Sequence, residues 1–248
     1  MHFSITKYKF WIYIVFFAVL LAVFYWAINE EHVFTDSPLA VINSSIPAFQ
    51  FTDQNGQSFS QKNTEGKVYV ANYFFTSCKG ICPKMNTNMR RIYEAFKDEP
   101  DFLIASHTCM PEVDTMQLLK IYEVQMAGGS LVKTEQGSYK IIHSATDILN
   151  TNYSTHWKFL TGEKKELYQL ARQGYMIDNG KPDSTQNIQD QFIHTQFFAL
   201  VDRYGRVRGI YDGLKEDEIQ KLLKDIPGLL KEKIDHARFM NGFSNTPG

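Results

Sequence analysis

The chain has 248 residues, 26 basic and 27 acidic side chains and a net charge of -1. Without a basic tract it carries no electrostatic footprint for nucleic acid. Its three cysteines are too few for a disulfide scaffold, and the odd count leaves at least one thiol unpaired within the chain, so these cysteines read as chemical rather than structural.

Residues 10–28, FWIYIVFFAVLLAVFYWAI, run without a charge. At about 1.5 Å of rise per residue they match the ~30 Å hydrocarbon core of a bilayer and predict a membrane-spanning helix. Trp11, Tyr13, Tyr25 and Trp26 suit the two interfaces. Lys7 and Lys9 precede the run while Glu30 and Glu31 follow it, so residues 1–9 are expected in the cytoplasm and the rest of the chain outside it, facing the periplasm or cell exterior. Asn29-Glu30-Glu31-His32 offers no small-residue cleavage site, which favours an uncleaved anchor over a signal peptide. Residues 29–46, with Pro38, Ser44 and Ser45, read as a tether, and 47–248 as a single domain.

Along that domain, AFQFTDQNGQSFS (48–60) places two short strands around Asn55-Gly56, a hairpin signal. KVYVANYFF (67–75) is nearly continuous in apolarity, as a strand covered on both faces would be. From Pro83, residues Met85, Met89, Ile92 and Phe96 fall at helical spacing. DFLIAS (101–106) predicts another buried strand and 114–126 a helix. Residues 127–156 open on a Gly-Gly break and keep no sustained period, so they read as an insertion with local structure. A helix over 163–172 follows, then strands FFALVD and VRGIY around Arg203-Tyr204-Gly205-Arg206, and a closing helix over 215–226 that Pro227 should break or kink. This order, with a dithiol at a strand-to-helix junction, predicts a thioredoxin-like α/β fold.

The junction reads FFTSCKGICPKM, with Cys78 and Cys82 separated by three residues. Unpaired N–H groups and the positive end of a helix dipole favour thiolates there. Structural burial fits poorly with Lys79-Gly80 between the cysteines. Thiol–disulfide exchange is open, although its usual motif has two intervening residues. Metal binding is open too: two soft sulfurs on one ion select Cu(I) or Zn(II) and leave it short of a ligand. Of the histidines, His107, at the end of the DFLIAS strand, and His194, at the start of a late strand, are best placed to supply it. Spacing alone does not choose between them.

TSCKGICPKM with its upstream strand, WKFLTG (157–162) and FIHTQFFALVDRYGRVRGIYDG (192–213) together resemble the Sco/SenC family over roughly residues 47–226. The resemblance implies a membrane-tethered, thioredoxin-like copper-binding protein that serves assembly of the copper site of cytochrome c oxidase. The copper ligands it implies are Cys78, Cys82 and His194. The partners are the copper-accepting oxidase subunit, a copper donor and a thiol reductant. A thiol–disulfide reductase that keeps the acceptor's cysteines reduced is the alternative.

Three further residues stand out. Lys79, where the family often has proline or a small residue, favours ionised thiols on either reading. Asp190, four residues before His194, could orient its imidazole or be a plain surface carboxylate. Cys109, in SHTCMPEVDT, could be a third sulfur ligand, a resolving thiol or a small residue filling a loop. No GxSxG, phosphate-loop or HExxH motif supports a hydrolase or nucleotide-binding reading.

Overall fold

The computed structural model describes residues 5–29, 39–78, 80–144, 156–178 and 195–232. Two compact units divide the chain, residues 1–38 and 39–248. The first contains helix α1 (Ile5–Asn29), 25 residues long and apolar throughout its centre. Its side chains are described over 11–25, where each is exposed. Among the described residues no helix is long and apolar enough to cross a membrane.

The second unit is built on a seven-stranded sheet: β1 (Gln50–Asp53), β2 (Ser58–Ser60), β3 (Val68–Phe74), β4 (Phe102–Thr108), β7 (Trp157–Thr161), β8 (Phe197–Val201) and β9 (Val207–Asp212), in the order β2-β1-β7-β4-β3-β8-β9. Strands β3, β4 and β7 are parallel, while β1 joins β7, and β8 joins β3, antiparallel. All seven residues of β3 and of β4 are buried, as expected of strands covered on both faces, and the polar pair inside them is satisfied by the Ser106 hydroxyl donating to Asn72 Oδ1 at 2.6 Å.

The period of two sorts their side chains. Val68, Val70, Phe74, Phe102 and Ile104 share one face with Met85, Met89 and Ile92 of α2 (Cys82–Phe96), Leu119 and Tyr122 of α3 (Met116–Ala127), and Ile219, Leu222 and Ile226 of α5 (Glu216–Lys231). Tyr69, Ala71, Tyr73, Leu103 and Ala105 share the other with Phe51, Phe59, Leu167 of α4 (Lys164–Gln169), and Tyr175 beyond the π-turn that continues it. Within the first layer Arg91 of α2 grips Glu216 at the start of α5 with two hydrogen bonds of 2.7 Å.

One expectation is corrected: the closing helix does not end at Pro227. The folded unit begins at Leu39. There Arg208 donates to the Leu39 carbonyl at 2.8 Å, and Ile42 and Asn43 pair with Val207 across β9. The stretch 127–156 contains a hairpin, β5 (Ser130–Lys133) with β6 (Tyr139–Ile142), whose Tyr139 ring lies 4.3 Å from the Arg91 guanidinium. Helix α5 runs through Pro227 to Lys231. Leu229 is buried beyond the proline, Arg203 donates to the Leu230 carbonyl, and Glu232 pairs with Arg208, so tertiary contacts hold the turn that proline weakens.

Proline removes one intrahelical hydrogen bond and crowds the preceding turn. In urea unfolding of the full chain in detergent, Pro227→Ala should gain up to about 3 kcal/mol of stability; a variant no more stable than the parent would mean that the helix bears no proline penalty.

Candidate functional site

The dithiol stands where β3 ends and α2 begins. After Phe74 the chain makes one tight turn, in which the Cys78 N–H donates to the Phe75 carbonyl at 3.2 Å, and enters α2 at Cys82. Pro83 occupies the first helical turn, and Ile81, the residue at the N-cap, offers no side-chain acceptor to the helix's free N–H groups. That end of α2 therefore keeps its partial positive charge for whatever anion sits beside it, here the cysteine sulfurs. Cys78 is half-buried and Cys82 is buried. Both are unbonded thiols.

Strand β8 approaches the same end of the sheet. Tyr69 pairs with Val201 and Ala71 with Ala199. Thr195, two residues ahead of β8, is held in place: its hydroxyl donates to the Ile177 carbonyl at 2.6 Å and accepts from the Phe197 N–H at 3.2 Å. His194, Asp190 and Lys79 lie outside the described residues. Thr195 is the next residue in sequence after His194. Among the described residues no group of three or more His, Cys, Asp or Glu side chains converges as a metal site.

His107 and Cys109 belong to the other side of the sheet. They follow Leu103 and Ala105 at the period of two, and so face the layer opposite α2 and Cys82. His107 is fully buried, stacked on Tyr73 with ring centroids 5.1 Å apart and edge-on to Phe51, with Nε2 3.1 Å from the Tyr175 hydroxyl. Its Nδ1 has no hydrogen-bond partner, and burial drives its pKa down to about 3. This is a neutral core histidine. The Cys109 thiol donates to the Phe74 carbonyl at 3.0 Å, and the Tyr168 hydroxyl donates to the Cys109 carbonyl. Burial, with the nearby charge of Asp114, pushes that thiol up to about 12. Of the three roles open to Cys109, the packed loop residue is the one its surroundings support.

Sequence reasoning missed the carboxylate next to the dithiol turn. Asp114 was expected as the first residue of a helix, but α3 starts at Met116 with Thr115 as its N-cap. The Asp114 side chain turns inward and is 1% exposed. It accepts from the Thr76 N–H at 3.3 Å, from the Thr76 hydroxyl at 2.5 Å, and from the Thr108 hydroxyl. The Asp-Thr pair ahead of an apolar run is a helix-start signal, and nothing local distinguishes an outward carboxylate from this inward one.

The family model described as SCO1/SenC matches residues 42–156, a span that includes both cysteines of the dithiol. An SCO2-like protein from Rickettsia felis is 36% identical over 183 residues, 71% of this chain and 74% of the relative. The structure of BsSco, described as a member of the Sco family of cytochrome c oxidase assembly proteins that has a disulfide switch, aligns with a TM-score of 0.56 at 26% identity, covering 78% of this chain and 97% of that one. Yeast Sco1 with copper bound aligns with a TM-score of 0.52 at 19% identity, over 79% of this chain and 94% of that one, a likeness of fold.

Alkylation under reducing native conditions at pH 8 should label Cys78 and Cys82 and leave Cys109 unmodified for hours. Full modification of Cys109 would contradict its burial. The pH dependence of stability isolates His107. Its folded pKa lies below the unfolded value of 6.5, so as pH falls the unfolded chain takes up a proton that the folded chain refuses. Stability should drop below pH 6.5 by up to about 1.4 kcal/mol per pH unit from this group. The loss continues toward the folded value of about 3. In urea titrations between about pH 6 and pH 4, His107→Phe should remove close to one proton from that slope, and an unchanged slope would show that His107 titrates normally.

Proposed function

Because the chain belongs to the SCO1/SenC family, we propose that it is a membrane-anchored copper metallochaperone that supplies Cu(I) to the copper-accepting subunit of cytochrome c oxidase. The observation that carries this reading is the placement of Cys78 and Cys82 at the end of β3, at a helix start without a side-chain cap, beside strand β8, which begins three residues after His194 in sequence. Two thiolates and one imidazole form a soft, low-coordinate donor set, which suits Cu(I). The half-buried Cys78 leaves the ion open to attack by an acceptor's thiolates, so copper can pass by ligand exchange without a change of oxidation state.

In this reading the uncharged run 10–28 is the anchor, its length in sequence matching the ~30 Å hydrocarbon core at about 1.5 Å of rise per residue. Lys7 and Lys9 assign its start to the cytoplasm and the dithiol domain to the opposite side of the plasma membrane, where a copper donor and a thiol reductant would serve it. Lys79 adds positive charge between the sulfurs in sequence, and Asp190 is the candidate acceptor for the second ring nitrogen of His194.

The same two cysteines, both unbonded thiols and one of them half-buried, support a second reading, a reductase for the acceptor's cysteines. One thiolate attacks the acceptor disulfide, the other resolves the mixed disulfide, and the pair surrenders two electrons and two protons as Cys78 and Cys82 become bridged. An anaerobic Cu(I) titration of the full chain in detergent against a chromophoric chelator separates the two. The chaperone reading expects one tight equivalent, weakened about 100-fold or more in His194→Ala, at least 2.7 kcal/mol. Absence of tight binding, or binding indifferent to His194, leaves the reductase.

A further inference from the structure

From the buried carboxylate beside the dithiol turn we infer that Asp114 is a positioning residue, which fixes Cys78 against Cys82 through Thr76. The inference rests on the reading of that pair as the copper and redox site.

A carboxylate taken out of water is costly unless its oxygens are filled by donors. Asp114 fills its own from two loops: Thr76, two residues after β3, gives both its N–H and its hydroxyl, and Thr108, the last residue of β4, gives its hydroxyl. The side chain also lies just ahead of Thr115, whose hydroxyl caps α3, where the helix dipole favours negative charge. Being acceptor-only, an ionised carboxylate forces all three groups to donate toward it and leaves Thr76 a single orientation.

The consequence falls on Cys78. Thr76 and Ser77 are the corner of the turn closed by the Cys78 N–H on the Phe75 carbonyl, and α2 begins with no side-chain cap of its own. On the β4 side the loop is held separately, by the Cys109 N–H on the Phe74 carbonyl at 2.8 Å and the Met110 N–H on the Thr108 hydroxyl at 2.9 Å. Thr76 is thus the link between the fixed β4 loop and the turn that carries Cys78. With the link cut, the Cys78 sulfur samples more positions. The effective concentration of one thiol at the other falls, and both the closing of a disulfide and the clasping of one ion by two sulfurs weaken.

Thr76→Val keeps the shape and deletes the hydroxyl, while Thr76→Ser keeps the hydroxyl. Two quantities are read on the full chain in detergent: the metal-free dithiol–disulfide equilibrium against a glutathione buffer, and the Cu(I) affinity by chelator competition. Positioning predicts that Thr76→Val moves the equilibrium at least tenfold toward the dithiol and weakens Cu(I) by at least tenfold, with Thr76→Ser within about twofold of the parent on both. A purely structural role predicts a lower melting temperature with both quantities unchanged well below it, and that result overturns the inference, as does a Thr76→Ser variant impaired as much as Thr76→Val. Should Thr76→Val fail to fold, Asp114→Asn is read by the same two quantities and limits. If the parent itself binds no copper tightly, the chaperone reading fails on its own, and the metal-free equilibrium still decides the role of Asp114.

Discussion

The chemistry of this protein depends on where one strand ends. Strand β3 is buried on both faces along its whole length, flanked by β4 and β8. A strand so enclosed has no freedom in register or tilt, because a slip of one residue would turn every side chain to the wrong layer. Its last residue is therefore a fixed point, and the sequence puts a single tight turn and then a helix start directly on it. Two cysteines separated by three residues are placed there, one on the turn and one at the helix start.

The same enclosure decides what else can reach that point. Parallel β4 ends level with β3, Phe74 beside Thr108, so its loop can brace the dithiol turn through Asp114. Antiparallel β8 pairs with the other side of β3, Tyr69 to Ala71 against Val201 to Ala199. The alternation of side chains rules out two candidates that sequence distance would allow. His107 and Cys109 are close to the edge along the chain, but they face the aromatic layer of Tyr73, Tyr168 and Tyr175 rather than α2.

Much of this was legible in the residues themselves. The nearly continuous apolarity of VYVANYF announced a central strand, Asn55-Gly56 announced the hairpin between β1 and β2, and the spacing of Met85, Met89 and Ile92 gave the buried face of α2. What escaped was decided by partners far away in sequence. The turn after Pro227 holds because Arg203 and Arg208 reach it from the β8–β9 hairpin. Leu39 belongs to the domain because Arg208 grips its carbonyl, and Asp114 turns inward because two threonines on different strands wait there. Spacing treats the ends of strands alike, so the preference for His194 over His107 came from the family resemblance, and the sheet adds only that His107 is buried in the aromatic layer.

The central claim is that one sheet edge assembles a site of two sulfurs and one imidazole. X-ray absorption at the copper edge of the Cu(I)-loaded full chain tests it most directly. The account predicts two sulfur neighbours and one histidine nitrogen, with the imidazole scattering absent in His194→Ala. A third sulfur, or a two-sulfur ion with no imidazole in the parent, would contradict it.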